Sequence, residues 1–342
     1  MNLEKKMESI GNGLTGLQNL GNTCFLNSTM QCISHTYELN NILDNTKWKK
    51  RLNKVSDSVI LYEWDKLRKM IWSEDCIISP GGFFTAIRKV AGIKDRVIFT
   101  GFAQNDLTEY LQFLIDCFHE AIKREVDMDI TGTALTKKDE LAKKCYEMYI
   151  RMYSKDYSEI LKIFSGIHIS KICFKDGSHQ SSSPEPYFYL NLPIPKKNNT
   201  TLLDCFDKYT EKEVIDGDNK VINEKSGKKE DCTKQLLFFS LPEVLIIVLK
   251  RFENSGRRVN INVDIPLANL NLEKYVIGYK ENESTYDLYG VCNHIGTHMG
   301  GHYTAFIKVK NEKWYEFDDK NVNPYDGKII SKDSYCLFYR KN

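Results

Sequence analysis

An α+β fold is predicted for this chain of 342 residues, with helices filling the first half and strands the second. Three observations carry that expectation. Up to about residue 160, apolar residues recur at the spacing of one helical face. Beyond that point, short segments rich in β-branched and aromatic residues stand between turn signals. One of these, Val244–Leu249, is apolar at every position, as a strand covered on both faces is. Helices first and strands afterwards imply a helical side packed on a sheet side.

Taken in order, residues 1–13 read as a polar, flexible tail and 14–342 as a single multi-lobed domain, because no repeat or low-complexity linker divides them. A glycine-punctuated loop, Asn19-Leu20-Gly21-Asn22-Thr23, leads into Cys24. Phe25, Met30 and Ile33 then share one face, which predicts a helix over 24–42. A second helix is expected over 56–72, where Val59, Ile60, Trp64, Leu67 and Ile71 form the stripe. Pro80-Gly81-Gly82 breaks the pattern and 83–90 resumes it. Residues 106–123 give the strongest signal, with Leu107, Tyr110, Leu111, Leu114, Ile115 and Phe118 aligned, and 139–153 is a further helix. Strands are expected over 188–192, 236–239, 244–249, 286–291, 302–309 and 335–339. The polar, glycine-containing stretch 216–231 reads as an exposed hairpin tip.

Hydrophobic residues make up 42% and aromatics 12%, enough for a sizeable core. A formal net charge of +2 gives no basic excess, which argues against nucleic acid as the main partner. The lysine-rich runs 47–51 and 225–229 are solvated surface. No apolar run reaches membrane-spanning length, and Met1-Asn2-Leu3-Glu4-Lys5-Lys6 does not begin a signal peptide. A cytoplasmic or nuclear protein without a membrane partner, and a monomer, is therefore expected. In such a compartment the ten cysteines are free thiols. Cys32, Cys117, Cys145 and Cys336 lie among apolar residues as small core side chains, and only Cys24 has the local setting of a reactive one.

That setting is a helix N-terminus, where unpaired N–H groups and the positive dipole end favour thiolate. Far downstream, Gly300-Gly301-His302-Tyr303 offers a base, and Phe317-Asp318-Asp319 a carboxylate to orient it, on what reads as the neighbouring antiparallel strand. The backbone N–H of Cys24 and the carboxamide of Asn19 are candidate donors to an oxyanion. Gly300 and Gly301 remove side chains just before the base, so that a substrate backbone can pass close. Each element has a bland counterpart: a structural cysteine, a turn into a strand, the polar end of a hairpin. Together and in this order they point to a cysteine protease.

The sequence resembles the ubiquitin-specific proteases, papain-like deubiquitinating cysteine enzymes. Gly16-Leu17-Gln18-Asn19-Leu20-Gly21-Asn22-Thr23-Cys24-Phe25-Leu26-Asn27-Ser28 is similar to the family's cysteine box. Gln104-Asn105-Asp106-Leu107-Thr108-Glu109-Tyr110-Leu111 is similar to its Gln/Asp-containing helix start, and Leu249-Lys250-Arg251-Phe252 to its central strand signature. Tyr286-Asp287-Leu288-Tyr289-Gly290-Val291, His294-Ile295-Gly296 and Gly300-Gly301-His302-Tyr303 resemble the histidine box, and Tyr335-Cys336-Leu337-Phe338-Tyr339 the closing strand. The resemblance implies a papain-like hand: a thumb over about 14–125, with β fingers and a β-rich palm over about 126–342. It implies that Cys24 attacks the carbonyl of ubiquitin's C-terminal glycine and forms a thioester that water hydrolyses. Asp318 would support His302, with Asp319 behind it. Gln104, Asp106, Gly300 and Gly301 would line the tail of ubiquitin, Asp106 pairing with a basic residue there. Asp106 also suits a helix N-cap, with Glu109 three residues on.

The chain departs from the family at the fingertip. Many members hold a structural zinc on two Cys-x-x-Cys pairs. Here Asp176 replaces the second cysteine of the first pair, Cys173-Phe174-Lys175-Asp176, and only Cys232 remains of the second pair. Two thiolates and a carboxylate, even with His179 added, make a poor structural zinc site, so no metal and no cofactor are expected. Two further readings keep the motifs: a catalytically inactive ubiquitin-binding module, and a protease for another ubiquitin-like modifier, chosen by the fingertip and the loop 256–263.

Overall fold

The computed structural model describes residues 13–174, 177, 179–279 and 284–342, with 179 and 180 described by backbone alone. The expected tail lies outside the described residues apart from Gly13.

The helical half begins with β1 (Gly16–Leu17), paired in parallel with β2 (Ile77–Ile78). Six helices follow: α1 (Cys24–Ser34), α2 (Tyr37–Asp44), α3 (Asp57–Ile71), α4 (Gly81–Ile93), α5 (Leu107–Ile122) and α6 (Lys137–Tyr153); a short α7 (Glu159–Phe164) closes the half. Trp64 on α3, fully buried, lies against Phe83 of α4 and Phe118 of α5, with ring centroids 5.9 and 6.4 Å away. The single helix expected over 24–42 is two helices. At their junction the side chains compete for backbone carbonyls: Ser34 Oγ donates to Gln31 O and Thr36 Oγ1 to Cys32 O, while the His35 ring lies 2.9 Å from Gln31 O. Such local bonding ends a helix although the apolar pattern runs on through Leu39 and Leu43. The helix expected to resume at 83 starts at Gly81, directly after Pro80.

In the second half, β3 (Gly166–Phe174), β4 (His179–Tyr187), β5 (Leu190–Leu192) and β6 (Thr200–Thr201) precede α8 (Leu202–Tyr209). Then come β7 (Glu213–Ile215), β8 (Val221–Asn223), β9 (Lys228–Glu230), β10 (Cys232–Ser240), β11 (Val244–Leu249), β12 (Val263–Asp264) and β13 (Leu270–Asn271). The last five strands are β14 (Thr285–Thr297), β15 (Gly300–Lys308), β16 (Trp314–Asp318), β17 (Asn321–Tyr325) and β18 (Ser334–Lys341). One sheet runs β4-β3-β10-β7, with α6 packed beside it. The larger sheet runs β17-β16-β15-β14-β18-β11-β5, with β13 on β14. β11 is buried at every position between antiparallel β18 and parallel β5, as its all-apolar sequence predicts. The stretch 216–231 contains the β8–β9 hairpin.

The halves meet where α1 crosses the large sheet. Cys32 Sγ lies 3.5 Å from Cys292 Sγ on β14, and Thr36 Oγ1 lies 2.8 Å from Tyr289 OH. Arg340 of β18 donates from Nε to Glu38 Oε1 of α2 at 2.5 Å. Gly16 fits because nothing larger would: a Cβ there would stand 2.1 Å from the carbonyl oxygen of Lys320. This seam fixes the start of α1 over the ends of β15 and β16. Among the described residues no helix is long and apolar enough to cross a membrane.

Candidate active site

Cys24 opens α1, and the loop before it is tied back on itself. Asn19 Oδ1 accepts from the N–H groups of Gly21 at 2.9 Å and Thr23 at 3.2 Å, and Thr23 Oγ1 accepts from Leu20 N–H at 2.9 Å. The turn needs two successive left-handed residues, Gly21 at φ +105° and Asn22 at φ +55°, residue types that tolerate that region. Thr23 offers no side-chain cap, so first-turn N–H groups stay available to the sulfur.

The local dipole argument for a thiolate does not survive the tertiary structure. Burial, the largest influence, raises the Cys24 thiol above its ordinary value, and the nearby Asp319 carboxylate raises it further. The backbone N–H groups of Tyr303, Phe25 and Cys24 itself act the other way and are outweighed. The same contact places the sulfur at Tyr303, immediately after His302.

His302 Nε2 lies 2.6 Å from Asp318 Oδ1. The strands β15 and β16 pair antiparallel, and their ends bring the two side chains together. Because Nε2 is engaged by the carboxylate, Nδ1 is the ring nitrogen left for the thiol. Asp319 stands beside this pair, with a carboxylate oxygen within 4.8 Å of both, and is bound to the cysteine loop. At φ +50°, its Oδ2 accepts from Asn19 Nδ2 at 2.9 Å, its Oδ1 from Asn27 Nδ2 at 2.7 Å, and its carbonyl from Leu17 N–H at 2.9 Å. It ties the cysteine loop to the sheet. Asn19 thus has one carboxamide hydrogen on Asp319 and one left over.

Next to this lies a cleft of about 280 Å³ between the N-terminus of α5 and the β14–β15 turn, lined in part by Gln104, Asp106, Gly300 and Gly301. Gln104 Oε1 accepts from Gly301 N–H at 2.7 Å, so it bridges the two halves. A Cβ on Gly300 would come 2.2 Å from that same oxygen, and one on Gly301 2.3 Å from the Ile295 carbonyl. The glycines are required by the protein itself, whatever passes over them. Asp106 is an N-cap: Oδ1 accepts from Thr108 N–H at 2.8 Å and Glu109 N–H at 3.3 Å. Its Oδ2 accepts from Tyr335 OH at 2.8 Å.

Tyr335, Asn27, Phe252 and His294 had no place in the sequence-based site. His294, whose ring is tilted by 31° against that of Tyr303 with centroids 4.5 Å apart, is pushed down to about 4 by burial and then by Arg258. All four stand inside the motifs that carry the family resemblance, which gave them no individual role. Among the described residues, one group of three potential metal-ligating side chains occurs, His302, Asp318 and Asp319, which is the site just described. Cys173 and Cys232 lie on neighbouring strands β3 and β10, while Asp176 and the His179 side chain fall outside what is described.

A family profile described as "Ubiquitin carboxyl-terminal hydrolase" matches residues 15–339. The chain belongs to that family. Ubiquitin carboxyl-terminal hydrolase 2 of Bos taurus is 33% identical over 338 residues, covering 96% of this chain and 55% of the relative. The chain thus spans about half the length of the first such relatives. The Gallus gallus protein of that name is also 33% identical and is covered over 93% of its length. Among solved structures, the SAGA DUB module Ubp8/Sgf11/Sus1/Sgf73 bound to monoubiquitin superposes with a TM-score of 0.74 at 24% identity, covering 97% of this chain and 70% of that one. That likeness establishes the fold, which is papain-like as the resemblance implied. In this fold the Cys24 thiol, the His302 imidazole and the Asp318 carboxylate are gathered at one place, where α1 meets the ends of β15 and β16.

Proposed function

We propose that this chain is a deubiquitinase that hydrolyses the peptide or isopeptide bond after ubiquitin's C-terminal glycine. One observation carries the reading: in a member of this family, His302 is held by Asp318 at 2.6 Å while the Cys24 sulfur sits against the next residue's N–H. When the tail fills the cleft, Cys24 gives its proton to His302 Nδ1 and attacks the glycine carbonyl. The resulting oxyanion accepts from backbone N–H at Cys24 and the second hydrogen of Asn19 Nδ2. Collapse expels the lysine amine, protonated by His302, and leaves a thioester. A water deprotonated by His302 then releases ubiquitin's carboxylate. Asp318 keeps the ring in the required tautomer throughout. The raised thiol makes proton transfer part of catalysis rather than a resting condition.

Hydrolysis of a ubiquitin aminocoumarin amide tests the proposal. Wild type should release the dye, and Cys24→Ala should lose turnover while binding ubiquitin by calorimetry. Turnover retained in Cys24→Ala would remove Cys24 as nucleophile. Binding without turnover in wild type would leave a ubiquitin-binding module, and neither would direct the same assay to other ubiquitin-like modifiers.

A further inference from the structure

One wall of the cleft is the turn between β14 and β15, and the loop after β11 holds that turn at two points. In this loop Phe252 and Arg258 face each other in an isolated antiparallel bridge, and Val259 N–H donates to the Arg251 carbonyl at 2.7 Å. Gly256 packs against His298 of the turn, where a Cβ would come 2.4 Å from the ring. Arg258, with a side chain only 12% exposed, lies over the Phe252 ring at 5.4 Å and reaches β14. Its Nη2 donates to the His294 carbonyl at 2.6 Å and to Asp333 Oδ1 at 3.1 Å. Its Nη1 donates to the Gly296 carbonyl at 3.2 Å and lies 3.3 Å from His294 Nδ1. An ion pair with Asp333 would account for one of these four contacts.

Arg258 occupies the place of a missing strand. β18 accompanies β14 as far as the pair Asn293–Ser334, and His294 N–H still reaches the Asp333 carbonyl at 2.8 Å. Beyond that point β14 is paired with β15, and among the described residues no strand runs along its other edge. Alternate carbonyls of a strand point to the same edge, and the guanidinium fork takes those of His294 and Gly296. What it holds bears on the site. Ile295 and Gly296 are the partners of His302 and Gly301 in the β14–β15 ladder. The ladder of β15 with β16 begins only at Ala305, so the backbone of His302 depends on the end of β14 for its place.

We propose that Arg258 is a positioning residue for the hydrolysis, holding the end of β14 and, through it, His302 and the glycines that line the cleft. The inference rests on the deubiquitinase reading. It is tested on the whole chain with the ubiquitin aminocoumarin amide. Competent sites are counted by complete reaction with ubiquitin that carries a thiol-reactive electrophile at its C-terminus. Per competent site, Arg258→Ala should raise KM about tenfold and lower kcat about tenfold. The milder Arg258→Gln should raise KM about threefold, and it decides the matter if Arg258→Ala does not fold. A residue that only stabilised the fold would lower the number of competent sites and leave the KM of the remainder as in wild type. That result, beside a wild type that turns the amide over, would overturn the role of Arg258 and spare the deubiquitinase reading. A wild type that neither turns over the amide nor forms the adduct would overturn that reading, and the role of Arg258 with it.

Discussion

The helical and sheet halves touch in two places of opposite character. Under α1 the contact is buried: Cys32 against Cys292 and Thr36 against Tyr289. Around the cysteine it is polar and open to solvent: Asn19 on Asp319 and Gln104 on Gly301. The buried contact sets the register of α1 on β14 and β15, because close-packed side chains have few alternative arrangements. The open one trims the site by single hydrogen bonds, each a modest net contribution that a substrate can match. A catalytic pair drawn from distant parts of the chain is aligned by the first and tuned by the second.

Adjacent carboxylates give the sharpest way to break this comparison. Asp318→Ala should lower kcat by about 10³, since the imidazole loses its orienter. Asp319→Ala should lower it by about 10- to 100-fold, through Asn19, and should cost about 1 kcal/mol of stability by removing the shortest bond of the buried Asn27 carboxamide, which keeps longer ones to the Leu17 and Gln18 carbonyls. Steady-state kinetics and urea unfolding of both variants check this, and the reverse ranking in kcat would exchange the two roles. At the buried contact, Gly16→Ala must displace the Lys320 backbone and should cost about 1–3 kcal/mol in urea unfolding. An unchanged midpoint would show that the seam yields more easily than described.

Gly300→Ala should lower kcat/KM about tenfold by colliding with Gln104. If that collision is the cause, adding Gln104→Ala should restore part of the loss, as coupled neighbours do in a double-mutant cycle. Strictly additive losses would mean that the backbone at φ +157°, and not the Gln104 collision, excludes alanine. The smallest effect is on pH dependence. Burial holds His35 and His294 down to about 4, against an ordinary 6.5. The unfolded chain takes up those protons first, so stability should be full above pH 6.5 and fall as pH drops towards about 4. His35→Gln and His294→Gln should each flatten that slope in urea titrations, and an unchanged slope would count against buried neutral rings.

What was legible in the sequence was what repeats or what lies side by side in it. The α5 stripe, the all-apolar β11 and the boxes around Cys24 and His302 depend on neighbours a few residues apart. The break after Ser34 was hidden because the apolar pattern continues across it, and α7 because six residues give too short a period. Asp319 could not be assigned its partner, since Asn19 stands 300 residues away. The surroundings of the thiol are hidden for a related reason: a helix terminus is visible locally, whereas the burial that raises the Cys24 thiol is set by the tertiary fold.

The central claim is that Cys24, His302 and Asp318 form a competent site for ubiquitin's C-terminus. Ubiquitin carrying a thiol-reactive electrophile at that end, read by intact mass beside Cys24→Ala, tests it most directly. The account predicts a one-to-one adduct on wild type and none on the variant. No adduct on wild type, or an equal adduct on Cys24→Ala, would contradict it.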